Sequence, residues 1–262
     1  EGKGINTIIQ MVALTRYDCM LGSSALMAQA VKEAIWHTSG RSVFGKNLHD
    51  QPLMLNVLAD LALEAEAALA ISMRIAYALD HSADPQQAAL IRSATGIGKY
   101  WICKRAIQHT YEAMECIGGV GYVDENITSR LYKEAPVNSI WEGSGNVQCL
   151  DLLRVLKREP ETLAALINEF QQARGKEPLY DKKLELFLVE FAAQQDIELR
   201  ARQIMESLAL LWQSATLLVY GDDWIAKAFI TARLADKQYH QYGTLDPSID
   251  VSAIVKRAMV KF

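Results

Sequence analysis

Long runs with apolar residues at three- and four-residue spacing constrain this chain most. In residues 54–79 such residues form one stripe along about eight helical turns. Pro52 suits the first turn of that helix, where a missing N–H is tolerated. Similar runs cover residues 5–38 and 84–117. Three long helices with short connections predict antiparallel neighbours in a bundle.

The composition supports a helical globular protein. The chain has 262 residues, of which 50% are hydrophobic and 22% charged, and its net charge is -4. Only 15 Gly and 6 Pro interrupt it, and no segment alternates strictly, so the prediction is an all-α fold. The longest uncharged stretch, residues 207–221, is too short and too polar to span a bilayer. We therefore expect a cytoplasmic protein with no membrane segment.

The cysteines and histidines give no sign of a disulfide framework or a metal site. The four cysteines form no C-x-x-C pair, which is typical of reduced intracellular thiols packed in helices. The five histidines lack metal-ligand spacing. The G-I-G-K stretch at residues 96–99 lacks the spacing of a phosphate-binding loop and is interpreted as close helix packing.

The second half of the chain has shorter elements. Arg158–Glu159–Pro160 is the first plausible boundary, so we predict a bundle over residues 1–158 and an extra helical module over residues 159–262. The helices predicted after Gly121 cover residues 127–135 (broken by Pro136), 146–157, 161–174, 181–220 and 222 or 223 to about 240, with a last one capped by Asp246–Pro247.

Three glycine-punctuated breaks are the candidate sites of chemistry. They are R-S-V-F-G-K at residues 41–46, E-C-I-G-G-V-G-Y at 115–122 and I-W-E-G-S-G-N at 140–146. Glycines allow a backbone to approach a ligand closely, although taken alone the second break is better explained as a helix stop. In the third break, a desolvated Glu142 beside Trp141 would suit a general base. The residues alone favour a plainer role, an acid that stabilises the next helix N-terminus.

Taken together and in order, the breaks resemble the C-terminal helical domain of the acyl-CoA dehydrogenase family. Arg41, Phe44 and Gly45 match the R-x-x-F-G element of that family, and Gln51 matches the glutamine that follows it. The resemblance covers about residues 1–158.

The other two breaks match further family motifs. Residues 115–122 match Q-x-x-G-G-x-G-[YF], with Glu115 in place of the usual glutamine, and residues 141–144 match Y-E-G-[TS]. The stretch from Asn138 to Leu156 is similar to the AidB-like, alkylation-response branch, which also has an extra helical module.

The resemblance implies a reaction. In this family a glutamate removes the α-proton of an acyl-CoA thioester while the β-hydrogen leaves as hydride to FAD. Glu142 occupies the position of that base, and its backbone N–H would bind the thioester carbonyl. Some relatives place the base on the first helix, where this chain has Thr15, which cannot act as one. Arg16 matches an arginine near the base; its alternative role is a solvated charge on a helix face.

The resemblance also implies an FAD site shared between subunits. The residues expected to contact FAD are Arg41, Phe44, Gln51, Glu115, Gly118, Gly119, Ser144 and Asn146. Those before residue 120 would contact the FAD of a neighbouring subunit, which implies a homodimer or a dimer of dimers. Ser144 and Asn146 would contact the flavin nucleotide beside Glu142. Asn146 is shorter than the usual glutamine.

Two further expectations follow from the same resemblance. The family has an N-terminal helical domain and a middle β domain ahead of this region, and the chain, which begins at Glu1, resembles neither. We therefore expect a rear fragment that alone binds FAD weakly or not at all and is inactive.

The branch offers an alternative function, association with DNA, with Arg154 at the position of an arginine linked to such binding. Residues 151–262 contain 15 Lys and Arg against 16 Asp and Glu, a net charge of -1. DNA affinity depends on basic surface. The charge therefore does not favour DNA as a partner, and an acyl-CoA-like small molecule is the preferred one.

Overall fold

The computed structural model describes residues 4–193, 195–237 and 239–259. Almost all of the regular structure there is helical, which confirms the all-α prediction. The elements are α1 (Gly4–Gly40), β1 (Ser42–Val43), β2 (Lys46–Asn47), a 3₁₀ turn (Leu48–Asp50), α2 (Pro52–Asp80), α3 (Pro85–Ile117), α4 (Gly119–Tyr122), α5 (Ile127–Asn138), α6 (Gly145–Arg158), α7 (Pro160–Gln172), α8 (Pro178–Ala192), α9 (Ala201–Tyr220), α10 (Asp223–Leu234) and α11 (Val251–Ala258).

The three long helices lie side by side, and their directions follow from their contacts. Ser23 of α1 donates to Cys103 Sγ of α3 at 3.3 Å, and three residues earlier Met20 lies against Gly98. Both pairs advance together along the chain, so α1 and α3 are parallel. Helix α2, which connects them in sequence, runs antiparallel and packs on both. A Cβ atom on Gly98 would collide with Met20 Sδ, which confirms the predicted close packing at residues 96–99.

The ends of the long helices agree with the sequence. The carboxylate of Asp84 caps α3 by accepting a hydrogen bond from Gln86 N, and Gly118 ends that helix with φ 78°. The prediction of a break at Pro136 is wrong, because α5 runs on to Asn138. A proline in the last turn costs only one hydrogen bond, which the helix tolerates.

The predicted single helix over residues 181–220 is also wrong. Helix α8 ends at Ala192 and α9 begins at Ala201, with Asp196 between them at φ 52°. Arg200 bridges the break by donating to the carbonyl oxygens of Glu190 and Ala193 at 2.9 and 3.0 Å. The apolar spacing continues across the break, so the sequence pattern conceals it.

Two more boundaries differ from the prediction. Helix α10 ends at Leu234 rather than near residue 240. The last helix is capped by Asp250, whose carboxylate accepts from Ala253 N, and not by Asp246–Pro247. Asp246 instead accepts two hydrogen bonds from Ser248 and forms a local turn.

The C-terminal helices share one core with the bundle. Helices α9 and α11 pack on α2, and α7 packs on α3. Two buried carboxylates and two partly buried arginines strengthen this packing. Glu64 of α2 lies 3.1 Å from Arg105 of α3 and 2.8 Å from Arg233 of α10, and Arg233 also pairs with Asp60. Although burial opposes ionisation, the two arginines lower the pKa of Glu64 to about 2.

The cysteines agree with the sequence: all four are buried within helices and free. Among the described residues, no group of histidines, cysteines and carboxylates is arranged to hold a metal ion. None of the described helices combines the length and apolar character needed to cross a bilayer.

Candidate active site

The turn between α5 and α6, residues 139–144, has an unusual backbone. Glu142 has φ 55° and Gly143 has φ 104°, so two successive residues lie in the left-handed region. That region is uncommon for a residue with a side chain, and it persists where neighbouring groups enforce it. Glu142 is half-buried and Trp141 beside it is exposed.

Three side chains hold this turn by its carbonyl oxygens. Arg16 Nε of α1 donates to Glu142 O at 3.0 Å, and Lys99 Nζ of α3 donates to Gly143 O at 2.6 Å. Gln148 Nε2 of α6 donates to both oxygens at 3.0 Å. The backbone N–H of Glu142 donates to no group in the described part of the chain. The turn is therefore anchored by its carbonyls and leaves that N–H available to a ligand.

Arg16 is built into the structure rather than solvated. Its Nη1 donates to Asp151 Oδ2 of α6 at 2.7 Å, and its side chain is 16% exposed. Burial opposes ionisation of Asp151, but the hydrogen bond from Arg16 and the charge of Arg92, 3.6 Å away, lower its pKa. Arg16 thus links α1, the turn and α6, and the solvated role is wrong.

Lys99 is deeply buried, at 1% exposure, as is Gln148. Burial lowers the pKa of Lys99, because an ammonium group that loses its hydration favours the neutral form. Cys19 and Cys103 lie close enough to Lys99 to influence its charge, and the indole of Trp141 bonds to Cys19. The buried side of the turn is therefore a compact layer between α1 and α3.

Ser144 and Asn146 lie at the start of α6 and are exposed. Ser144 is the N-cap residue, but its side chain makes no capping bond. Asn146 Oδ1 accepts from Arg202 Nε at 3.0 Å and from Arg202 Nη2 at 2.8 Å. Arg202 belongs to α9, so a side chain beyond the bundle reaches this site.

A second group of predicted residues lies where α1 meets the β1–β2 hairpin. Phe44, at the hairpin tip, has φ 53° and is 97% exposed. Arg41 is exposed and forms no ion pair with any carboxylate of the described residues. Gln51 Nε2 donates to Val43 O at 3.2 Å and ties the hairpin to the start of α2.

Glu115, Gly118 and Gly119 lie at the same end of the bundle, at the end of α3, and are exposed. Nineteen residues of α3 separate Gly118 from Lys99, which is about 28 Å at 1.5 Å per helical residue. One chain therefore brings Glu142, Arg16, Ser144 and Asn146 together at one site. The other six residues predicted to contact FAD lie at the hairpin end of the bundle.

The exposed groups fit an FAD molecule. Arg41 has no acidic partner among the described residues, and the hairpin that follows it carries the fully exposed ring of Phe44. A cation and an aromatic ring on one segment suit a phosphate and an adjoining flat group. Glu115 fits less well, because it brings a negative charge toward phosphates; it accepts a hydrogen bond from Tyr111, which raises the pKa of Tyr111.

Sequence reasoning missed Lys99, Gln148, Asp151 and Arg202. Lys99 offered one signal, a lone charge in the otherwise uncharged stretch 93–103, whereas Gln148 and Arg202 look like ordinary surface residues in sequence. A cavity of about 400 Å³ between α8 and α9, lined by Phe187, Phe191, Arg200 and others, contains none of the site residues.

Known proteins share the all-α bundle. The family model for the acyl-CoA dehydrogenase C-terminal domain matches residues 2–157. AidB of Escherichia coli (strain K12) is 41% identical over 234 residues, which make up 89% of this chain and 43% of AidB. The fold and the family match define the helical domain of an FAD-dependent class of proteins. The chain belongs to the acyl-CoA dehydrogenase family.

Solved structures agree. ACDH-11 of Caenorhabditis elegans, crystallised with C11-CoA, superposes with a TM-score of 0.79 at 25% identity, over 92% of this chain and 46% of that chain. An acyl-CoA dehydrogenase from Bacillus anthracis, complexed with FAD, shares the fold with a TM-score of 0.71 at 16% identity, over 98% and 50%. The chain thus spans less than half the length of AidB and of ACDH-11.

Proposed function

We propose that this chain supplies the general base of an FAD-dependent acyl-CoA dehydrogenase-like reaction, with Glu142 as that base. The observation that carries the proposal is the anchored turn, in which three donors fix the carbonyls of Glu142 and Gly143. Fixing a carboxylate before the substrate arrives lowers the entropic part of a reaction barrier.

The chemistry of the proposal divides between two atoms of one residue. The carboxylate of Glu142 takes the α-proton of the thioester, and the N–H of Glu142 donates to the thioester carbonyl oxygen. The negative charge that develops on that oxygen is stabilised by a donor already in place. Bound FAD would supply the acceptor for the β-hydrogen, which would leave as hydride, so that the product would be an α,β-unsaturated thioester. Arg16 is a positioning residue here, since it holds the carbonyl of Glu142.

The separation of the two groups supports a shared cofactor site. We propose that Ser144 and Asn146 contact the FAD beside Glu142, whereas Arg41, Phe44, Gln51, Glu115, Gly118 and Gly119 contact the FAD of a neighbouring subunit. The distance of about 28 Å along α3 and the full exposure of Phe44 support a homodimer or a dimer of dimers. A chain that is monomeric when loaded with FAD would contradict this assembly.

An acyl-CoA thioester is the proposed substrate. ACDH-11 was crystallised with C11-CoA, and the short-chain specific acyl-CoA dehydrogenase of Bos taurus is 31% identical over 56% of this chain. Both relatives support that class of ligand.

Anaerobic titration of the intact protein with a panel of straight-chain acyl-CoAs tests the proposal. Visible flavin absorbance should bleach with at least one of them. A 2,2-dimethylacyl-CoA, which has no α-hydrogen to lose, is the control and should leave the flavin oxidised. Absence of bleaching with every thioester would contradict the proposed activity.

DNA association is the alternative function. Arg154, Lys157 and Arg158 are exposed on α6 and form no ion pair within the described residues. Residues 151–262 as a whole nevertheless have a net charge of -1, which does not favour DNA. A salt-dependent shift assay on duplex DNA separates the two: binding that Arg154→Ala weakens would favour the alternative, and no binding at low salt removes it.

We also propose a division at residue 158. The end of the family match at residue 157 supports it. The shared core means that residues 159–262 would add stability to the bundle rather than fold as a detached unit.

A further inference from the structure

The first turn of α6 is held from outside the bundle. Arg202, on the first turn of α9, lies beyond residues 2–157, the part that matches the family model. Its guanidinium nevertheless ends on Asn146, four residues after Glu142, through two hydrogen bonds of 3.0 and 2.8 Å.

These two bonds fix the orientation of the Asn146 amide. A guanidinium group only donates, so the atom that faces it must be the carbonyl oxygen of the amide. The Nδ2 group of Asn146 then points away from Arg202, and it donates to no group in the described part of the chain. Asn146 is therefore oriented as a hydrogen-bond donor on an exposed surface.

Other cations lie around the same helix start. Lys104 Nζ would lie 3.2 Å from a Cβ atom on Gly145, and its charge lies over the ring of Tyr100. Arg202 and Lys104 both act on Cys149, where burial raises the thiol pKa and the two charges oppose the rise. The start of α6 therefore combines an amide donor oriented by Arg202 with the positive charge of Lys104, which favours a phosphate-bearing ligand.

We propose that Arg202 is a positioning residue of the cofactor site, which orients Asn146 toward the phosphate-linked part of FAD. This inference rests on the proposed function. It gives residues 159–262 a direct role in the site, and it explains how Asn146 serves with a side chain shorter than glutamine: the amide is held in place by a group on another helix.

The test measures FAD affinity, by fluorescence titration of the intact apoprotein, and hydrogen exchange of residues 140–150. The variants are Arg202→Ala, Asn146→Ala and the double variant, with Arg202→Met retaining the packing of the side-chain stem. Arg174→Ala is the control, because it removes one exposed cation of the same module whose side chain, within the described ranges, pairs with Glu185 and Gln171 and with no site residue.

Arg202→Ala and Arg202→Met should each weaken FAD binding roughly fivefold to tenfold, as expected for a lost charge-assisted hydrogen bond. The double variant should be no weaker than Asn146→Ala, because Arg202 acts through Asn146. Exchange at the start of α6 should speed up in the Arg202 variants and stay unchanged in Arg174→Ala.

Binding within twofold of wild type in both Arg202 variants, or additive losses in the double variant, would overturn the assignment of Arg202 alone. A wild-type protein that binds no FAD would overturn the proposed function and this assignment with it. Unchanged exchange in residues 140–150 would separately show that Arg202 does not hold the helix start.

Discussion

Lys99 donates a hydrogen bond of 2.6 Å from its buried ammonium group to the carbonyl oxygen of Gly143, the residue after the proposed base. No carboxylate within ion-pair distance compensates the charge of Lys99 in the described residues. A buried charge held by a backbone dipole is costly, because its hydration is lost without an opposite charge in return. The turn is therefore fixed at some expense in stability.

Lys99→Met should separate activity from stability. The variant removes a buried charge, so the free energy of unfolding should be unchanged or higher by about 1 kcal/mol. It also frees one carbonyl of the turn, and a displaced base slows the reaction by tenfold to about a hundredfold. Stopped-flow flavin reduction and denaturant unfolding measure the two effects. Lys133→Met, at a surface ion pair with Asp124, is the control. Unchanged reduction would show that Lys99 does not position the turn.

Two glycines should respond to alanine with opposite signs. Gly22→Ala places a methyl group in open space within α1 and should stabilise the protein by about 0.5–1 kcal/mol. Gly98→Ala gains the same helix propensity but collides with the buried Met20, so it should destabilise by about 1 kcal/mol. Thermal unfolding measures both. Equal stabilisation by the two changes would mean that α1 and α3 are less closely packed at this point.

Periodicity was enough to predict the bundle. The stripes of α1, α2 and α3, the cap at Asp84 and the stop at Gly118 are local features of sequence, and the structure has them all. The break between α8 and α9, in contrast, has no signal in the local sequence. Both helices keep the same apolar spacing, and the left-handed Asp196 is held by distant carbonyl bonds from Arg200.

The site was predictable in part. Motif order located Glu142 and Arg16, which the structure places in contact. Lys99 and Gln148 were not predicted, because they donate to backbone oxygens. Every residue has such an oxygen, so this role produces no sequence motif. Arg202 escaped because it meets Asn146 across 56 residues, and nothing in either local sequence points to the other.

The network of charges around Glu64 should contribute strongly to the packing of the C-terminal helices on α2, and so to the free energy of unfolding. Glu64→Gln leaves Arg105 and Arg233 short of a negative partner and should cost about 3–5 kcal/mol. Glu66→Gln, two residues away, breaks a partly exposed pair with Arg257 and should cost less than about 1 kcal/mol. Denaturant unfolding compares them. Similar losses in both variants would contradict the importance assigned to burial.

The same network predicts a loss of stability in acid. The pKa of Glu64 falls from its ordinary value of 4.5 to about 2 in the folded protein, so unfolding takes up a proton between these values. The stabilisation is complete above pH 4.5 and disappears as the pH falls toward 2, which amounts to on the order of 3 kcal/mol.

Burial lowers the pKa of His109 from 6.5 to about 4. The unfolded state therefore binds more protons than the folded state between these values, and the fold loses stability as the pH falls from 6.5 to 4. The free energy of unfolding of the wild type should decrease between pH 7 and pH 3. The decrease below pH 4.5 should be smaller in Glu64→Gln. A profile of equal slope in both proteins would exclude Glu64 as its source.

The most direct test of the central claim is the rate at which an acyl-CoA reduces the flavin of Glu142→Gln. The amide keeps the size of the side chain and the backbone contacts of the turn, but it cannot accept the α-proton. Anaerobic stopped-flow measurement with the best acyl-CoA should show reduction slowed by at least about a thousandfold. The FAD content of Glu142→Gln should match that of the wild type. The control Glu134→Gln, which changes an exposed carboxylate of α5, should be reduced at the wild-type rate. Reduction of Glu142→Gln at the wild-type rate would contradict the assignment of the base.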